Sequence, residues 1–462
     1  MQRREFLKTL PVGAFVLTGT GCATDNKTVP ADDWARAALI EASIQVTEFP
    51  DRDFSVEDFG ARADGESDSS LAINRAIAHC HAAGGGRVLL SEGVYRSGAI
   101  HLLSNVNLHV AAGSKIHFFT DPKKYLPAVL TRWEGMEIMG YSPLIYAYKQ
   151  DNIAITGAGI LDGGADDQTW WPWKGKHSEQ HWDLIPGEDQ KPARDRLQED
   201  VLRGVPVAER LYADGSFLRP AFVQPYACTR VLIEGVSIVR SPFWLVNPVL
   251  CESVTVRGIT CTSHGPNNDG CDPESCNLVL IEDCLFDTGD DCIALKSGRN
   301  EDGRRIGVPI QNVLIRNCAM RDGHGGLVIG SEISGGARNI FMEDCTMNSP
   351  HLERAFRFKT NARRGGVIEH VRVRNVKIGQ VQEALVVNFF YEEGDKGQFL
   401  PQVNDLVIEN VECKQAERVF HLRGFKNNPV GAITVRNSSF EHVSGADVIE
   451  YAPQLTLENV RR

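Results

Sequence analysis

From Val106 onward the chain carries short runs in which apolar and polar residues alternate, each closed by Asn, Asp or Gly. Val106-Asn107-Leu108 is an early example, followed by Ile153-Ala154-Ile155-Thr156-Gly157, Val231-Leu232-Ile233-Glu234-Gly235 and Val254-Thr255-Val256-Arg257-Gly258. The phrase returns at Leu278 to Asp283, Val313 to Asn317, Ile340 to Asp344, Val371 to Asn375, Leu406 to Asn410, Ile433 to Asn437 and Leu455 to Asn459. From Gly235 the closing residues recur at intervals of roughly 22 to 35, a period that belongs to solenoids, propellers and arrays. Alternation of period two predicts short strands. No long helical segment separates them, and the Trp-Asp signature of a propeller blade is missing. The pattern therefore predicts an all-β fold, a right-handed parallel β-helix. Each coil would pair with the next, and inward Val, Ile and Leu would make one continuous core. Asn, Asp and Gly at the closing position suit a left-handed turn.

A stack of coils has two open ends, which need covering. Before the first phrase, Ser69 to Ala83 places Ile73, Ala76, Ile77 and Cys80 on one side at helical spacing and stops at Gly84-Gly85-Gly86. It is expected to cap one end, and the segment near Val460 the other. Two long interruptions, Phe118 to Ala147 and Asp162 to Tyr226, break the rhythm. Loops of that length in a compact repeat are usually functional. Here they would wall a groove, and the Trp170-Trp171-Pro172-Trp173 stretch would offer rings on which sugars stack.

The N-terminus reads differently. Arg3-Arg4-Glu5-Phe6-Leu7-Lys8, an apolar run from Pro11 to Leu17 and the small residues up to Cys22 form a bacterial export signal that resembles the twin-arginine type. Cys22 resembles a lipoprotein cleavage site, with a plain cleaved signal as the alternative. Residues 1–22 are thus assigned to export, 23–50 to a linker with a short helix, and 51–462 to the β-helix. The expected location is the periplasm, or the outer membrane through a lipid anchor. The 462 residues carry a net charge of -11, which disfavours nucleic acid as a partner. Twelve cysteines are not spaced as a disulfide framework. Cys284, Cys318 and Cys345 close equivalent phrases, which predicts a column of stacked buried thiols. A metal site is the alternative, without Cys-x-x-Cys support.

The chemistry-bearing residues lie on successive repeats. Asn267, Asp269 and Asp272 fall in one turn, Asp290 and Asp291 in the next, Gly323-His324-Gly325 in the one after, and Arg357-Phe358-Lys359 one coil later. Stacking brings them into one stripe: carboxylate, carboxylate pair, imidazole, two cations. Arg357 and Lys359 share one face of a strand. Crowded carboxylates raise at least one pKa, as a general acid beside a general base requires. This suits hydrolysis of a glycosidic bond in an anionic polysaccharide, with the cations clamping a sugar carboxylate. Each residue alone has a plainer reading as a turn or solvated-strand residue. Their coincidence on consecutive coils is what points to a site.

Four motifs, Asn267-Asn268-Asp269-Gly270-Cys271-Asp272, Gly289-Asp290-Asp291-Cys292, Gly323-His324-Gly325 and Arg357-Phe358-Lys359-Thr360, resemble the polygalacturonases, glycoside hydrolase family 28. The resemblance covers nearly all of the chain from about Phe54. It implies hydrolysis of galacturonic acid linkages in pectin with inversion and without a cofactor or metal. It further implies that Asp290 is the general acid, that Asp269 and Asp291 hold and activate the water, and that His324 supports the catalytic group. Asn267, Arg357, Lys359 and Tyr391 would bind substrate, a pectic polysaccharide or oligogalacturonide. Asn268 stands where Thr is common, Gly289 where Gln is common, and Arg299 to Val308 is an insertion. The long loops and tryptophan stretches resemble bacterial members that trim chains from an end, so exo action by a monomer is expected. The alternatives are a rhamnogalacturonan-type hydrolase, a calcium-dependent pectate lyase in which the aspartates would be ligands, and a non-catalytic pectin-binding β-helix.

Overall fold

One coil shows how the sequence builds the architecture. Asn277–Glu282 runs as a strand with Val279 and Ile281 pointing into the core. Asp283 then adopts the left-handed conformation (φ 57°) and turns the chain into a second strand, Leu285–Thr288. Gly289 to Cys292 form the next corner, and Ile293–Leu295 is the third strand. In the computed structural model, which describes residues 33–178 and 180–462, this coil is repeated along a right-handed parallel β-helix. The expectations placed on residues 1 to 32, the export signal and Cys22, lie outside the described residues.

Register is constant along the stack. One inward row runs Leu108, Ile155, Ile233, Val256, Ile281, Ile315, Met342, Val373, Ile408, Val435, Leu457. Another runs Cys271, Ile293, Leu327, Phe356, Leu385 and Phe420. Full burial of such a side chain is worth about 1.5–3 kcal/mol, so a core spread over every coil offsets the ordering cost along the whole length. The predicted thiol column is present: Cys284, Cys318 and Cys345 are free and buried, and a second column runs Cys228, Cys251, Cys276. Their thiols bond backbone carbonyls of their own and adjacent coils, as Cys284 does to Glu282 O at 3.1 Å.

The closing residues form the expected ladder. Asn317, Asp344, Asn375, Asn410 and Asn437 all have φ between 51° and 56°. Their amides link neighbouring coils, Asn375 to Asp344 at 3.0 Å and Asn410 to Asn375 at 3.2 Å.

The helix expected from Ser69 spans Ser70–Ala82, with Ile73, Ala76, Ile77 and Cys80 buried against the first coils. The opposite end differs from expectation. Leu455–Arg461 is itself the last rung, paired with Ile433–Phe440, and Thr456 to Asn459 stay exposed with no covering segment among the described residues. An earlier helix, α1 (Asp33–Ser43), straps the outside of the stack. Its Ala37 and Ile40 pack on Leu280, Leu314 and Phe341, and Glu41 pairs with Arg316 at 2.7 Å.

The two interruptions do not hang as separate loops. The first contains an antiparallel hairpin, Val129–Trp133 with Met136–Gly140, and the second contains helix α2 (Lys191–Leu202) and strand Leu211–Tyr212, which pairs with the hairpin. Together they bury Trp133, Met136, Ile138, Leu197, Val201 and Tyr212 in a core of their own that reaches Phe243 and Trp244 on the stack. The insertion at Arg299 to Val308 forms α3 (Asn300–Ile306), whose buried Asp302 accepts from Arg210 at 2.6 Å and pins this lobe to the coils.

An asparagine at φ 56° tolerates a conformation that costs an ordinary L residue about 1–2 kcal/mol. Asn375→Val should therefore lower the thermal midpoint by more than Asn375→Gly does, because Gly restores the backbone freedom and loses only the amide ladder. Equal losses from the two variants would assign the effect to the ladder alone.

Candidate active site

The corner that carries Asp269 is held by the residue before it. Asn268 is fully buried; its Oδ1 accepts from Gly265 N at 2.9 Å and from Ser263 Oγ at 2.6 Å, while its Nδ2 donates to Ser241 O and Phe243 O. The departure from Thr thus has a structural role, tying two coils together beneath the carboxylate. Gly289 has one as well: a Cβ there would stand 2.6 Å from Gly265 O. At Gly323 a Cβ would meet Asp290 O at 2.6 Å, so glycine lets the His324 corner close onto the aspartate pair.

These corners bring Asp269, Asp290 and Asp291 together, each with an oxygen within 4.8 Å of the others. Asp269 and Asp291 are 2% and 0% exposed, and Asp290 is the one that opens to the cleft. His324 Nδ1 lies 3.0 Å from Asp290 Oδ1. Lys359 donates to Asp291 Oδ2 at 2.6 Å, and Arg357 to Oδ1 at 3.4 Å, from the same face of strand Arg354–Lys359. The Tyr391 ring centre lies 5.3 Å from Lys359 Nζ and 5.7 Å from the Arg357 guanidinium. Asn267 sits at the other end of the stripe, where its Oδ1 accepts from Arg219 at 2.8 Å and from Lys174 at 3.0 Å. Seven of the eight residues expected from the sequence line one cleft, and the eighth, Asp291, is buried directly beneath them.

Several participants escaped the sequence reading. Lys296 ends the apolar strand Ile293–Leu295 and is buried, with Asp269 at 3.4 Å, Glu332 at 3.3 Å and Asp272 at 3.7 Å from its ammonium. Trp244 lies beneath it, 4.5 Å from the ring centre. Arg299 joins Glu332 to Glu134 of the lobe, the latter at 2.7 Å. A lysine closing a fully apolar strand was the available signal for Lys296. Glu332, Arg219 and Lys174 stand in segments with no periodic pattern. Two expectations are corrected. Trp170 and Trp173 do not present their rings to a sugar, because both are buried and pack edge-on at 4.8 Å in the main core. Trp171 is anchored by its indole N–H to Ser241 O at 2.9 Å.

The electrostatics separate the carboxylates. Burial, then the charge of Asp290, push Asp269 up to about 8. Burial acts on Asp290 in the same direction, but the adjacent His324 outweighs it and holds that carboxyl well below the usual range. Asp272 is pushed well above the carboxylate range by burial and Asp269. Burial would pull Lys296 down, yet Asp272 and Asp269 keep it well above the ordinary lysine value. At neutral pH Asp269 thus holds a proton in the free protein while Asp290 is ionised. That is an acid beside an ionised carboxylate in one site, the requirement for acid–base cleavage of an acetal. A divalent cation fits poorly, since each carboxylate of the trio already faces a cationic side chain: Lys296, His324, or Lys359 with Arg357.

Comparison with known proteins agrees with this chemistry. Residues 214–456 match the sequence profile of Glycosyl hydrolases family 28. A solved exopolygalacturonase from Thermotoga maritima is 43% identical and superposes with a TM-score of 0.88 over 93% of this chain and 95% of its own. The chain belongs to glycosyl hydrolase family 28. A probable polygalacturonase of Vitis vinifera is 26% identical over 83% of this chain and 73% of its own length. The polygalacturonase of Erwinia carotovora, 20% identical with a TM-score of 0.66, shares the fold over 91% of this chain and 99% of its own. The protein is thus a glycoside hydrolase.

Lys296 is the counter-charge for three buried carboxylates. Removing one partner of a buried ionic cluster costs about 3–5 kcal/mol. Lys296→Met should lower the thermal midpoint sharply at pH 9 and less at pH 5. Asp269, whose pKa lies above that of an unfolded carboxyl, is protonated at pH 5 and needs no counter-charge. A loss of stability that is the same at both pH values would remove Lys296 from this role.

Proposed function

We propose that the protein hydrolyses α-1,4-galacturonosidic bonds in polygalacturonate or its oligomers, removing sugars from a chain end with inversion. The observation that carries this reading is the crowded carboxylate trio flanked on one side by Arg357 and Lys359 and closed on the other by the lobe. A polyanion brings its own carboxylates to those cations, Arg357 offering a planar fork and Lys359 a point charge.

Asp290, the most accessible of the three, protonates the leaving oxygen. Asp269 and Asp291 accept the proton of the attacking water. A sugar carboxylate bound at Arg357 and Lys359 offsets Lys359, which adds to the larger effect of His324 in keeping Asp290 ionised, and so favours transfer of the proton from Asp269 to Asp290 as substrate arrives. Burial supports water as the nucleophile. Asp269 and Asp291 are too enclosed to bond a sugar carbon directly. The closest oxygens of the trio lie within 4.8 Å, nearer than the roughly 6.5–9.5 Å between the carboxyl groups of inverting pairs, so inversion rests on the likeness to family 28 and not on this spacing. His324 orients Asp290, and Tyr391 covers the cations that receive the leaving side. The lobe supports exo action: Lys174, Trp182, Gln190 and Arg194 wall the cleft of about 770 Å³ beyond Asn267. Export through residues 1–22, anchoring at Cys22 and action as a monomer remain part of this proposal on sequence grounds, as does a pectic cell-wall substrate.

Product analysis on polygalacturonate, with and without calcium, tests the reading. Monomer alone is expected, released without calcium, with inverted configuration in the first-formed product by proton NMR. Asp290→Asn should reduce release by about a hundredfold or more. A ladder of oligomers would mean endo action, unsaturated ends that require calcium would mean a lyase, and turnover confined to rhamnogalacturonan fragments would replace the substrate. Binding without product would leave a pectin-binding β-helix.

The pH profile offers a second test. Activity needs one proton in the trio, and Asp269 releases it near pH 8. kcat/KM should therefore fall as pH rises through about 8. A profile flat to pH 10 would show that the essential proton is held elsewhere.

A further inference from the structure

The cleft holds a second group of cations at the end opposite Arg357 and Lys359. Lys174 ends the short helix Trp171–Lys174 of the lobe, lines the cleft and donates to Asn267 Oδ1 at 3.0 Å. Arg219, fully buried behind it, donates to the same oxygen at 2.8 Å and to the carbonyls of Pro266 and Pro242 at 2.6 and 2.9 Å. Every partner named for these two cations is neutral, and neither forms an ion pair with a carboxylate among the described residues. The acids nearest in charge to Lys174 are occupied, Glu134 by Arg299 at 2.7 Å and Asp290 by His324 at 3.0 Å. Cations withdrawn from water without an anion are costly, and a protein retains such a pair where a ligand supplies the missing charge.

We propose that Lys174, backed by Arg219 and Asn267, is a second uronate subsite, which binds the carboxylate of the terminal sugar on the side of the bond away from Arg357 and Lys359. The coil of Asn267 and that of Arg357 are separated by three rungs through Cys271, Ile293, Leu327 and Phe356, or about 14 Å at strand spacing. The carboxylate trio lies between them. One anion clamp thus stands on each side of the bond to be cut. The inner clamp belongs to the lobe, so a chain end is read by its charge as well as by the wall. An uncharged or esterified terminal sugar would leave Lys174 unpaired and bind poorly. The inference rests on the galacturonide reading of the site.

The test compares two trimers, trigalacturonate and the same trimer methyl-esterified only on its non-reducing sugar. The wild-type protein should prefer the free acid. Lys174→Met should lower kcat/KM for the acid by about thirtyfold or more, leave the ester nearly unchanged, and so abolish the preference. Lys174→Arg, which keeps the charge, should retain most of it, separating charge recognition from packing. If Lys174→Met slows both trimers equally, or changes neither, the subsite is overturned while the galacturonide reading stands. If the wild-type protein cleaves no galacturonide, that reading fails and this inference falls with it.

Discussion

Everything at the site depends on the constant register of the stack. Backbone hydrogen bonds between parallel strands hold successive coils at one rung apart, and the left-handed Asn and Asp corners keep each coil from drifting. A residue placed at a corner therefore meets its counterpart on the next coil, however far apart the two lie in sequence. The aspartate pair, His324 and Arg357 come from three coils, yet His324 lies 3.0 Å from Asp290 and Arg357 3.4 Å from Asp291. The interior rows of Ile, Val and Leu provide the rigidity that keeps three carboxylates crowded instead of letting them splay apart.

Crowding of that kind has to be balanced, and the balance is asymmetric. Lys296 and its arginine neighbour Arg299 stabilise the floor, where Asp269, Asp272 and Glu332 are buried. Lys359 and Arg357 pair with Asp291, and His324 with Asp290. Because Asp269 and Asp290 face different cations at different depths, their affinities for a proton diverge. A symmetric arrangement would leave the proton equally on all three and give no acid distinct from the bases. The buried cluster thus serves the division of labour more than it serves stability, since a hydrophobic floor would cost less to fold.

The periodic part of the molecule was legible from the sequence because its physics is local and repeated. Alternation, the closing Asn and Asp, and the four motif corners each specify one strand or turn, and stacking does the rest. Val279 and Ile281 could be placed in the core, and Arg357 and Lys359 on one face, without coordinates. The lobe was not legible in the same way. Trp170 and Trp173 sit in a segment without a period, so nothing in their spacing distinguished a sugar platform from a core residue, and they are core. Lys296 was missed for a related reason. Its partners Asp269, Asp272 and Glu332 lie on other coils, and a lysine at a strand end is ordinarily a solvated one. The bare far end of the stack also follows from tertiary circumstance. The exposed face of Leu455–Arg461 carries Glu458 and Arg461, whose charges protect an edge without a covering segment.

The lobe and the stack divide the work of recognition. The stack alone would offer an open groove with cations at one end, which suits internal positions of a polyanion as well as terminal ones. The two interruptions change this by zipping into one sheet, Leu211 pairing with Met139, over a shared core. That core makes the wall rigid, and α3 with Asp302 fastens it to the coil that follows the aspartate pair. A wall fastened to the catalytic coil holds its own cation at a fixed distance from the trio, which a mobile loop could not do. End recognition in this fold is thus a matter of attachment: the same buried contacts that remove the tryptophans from the cleft position Lys174 within it.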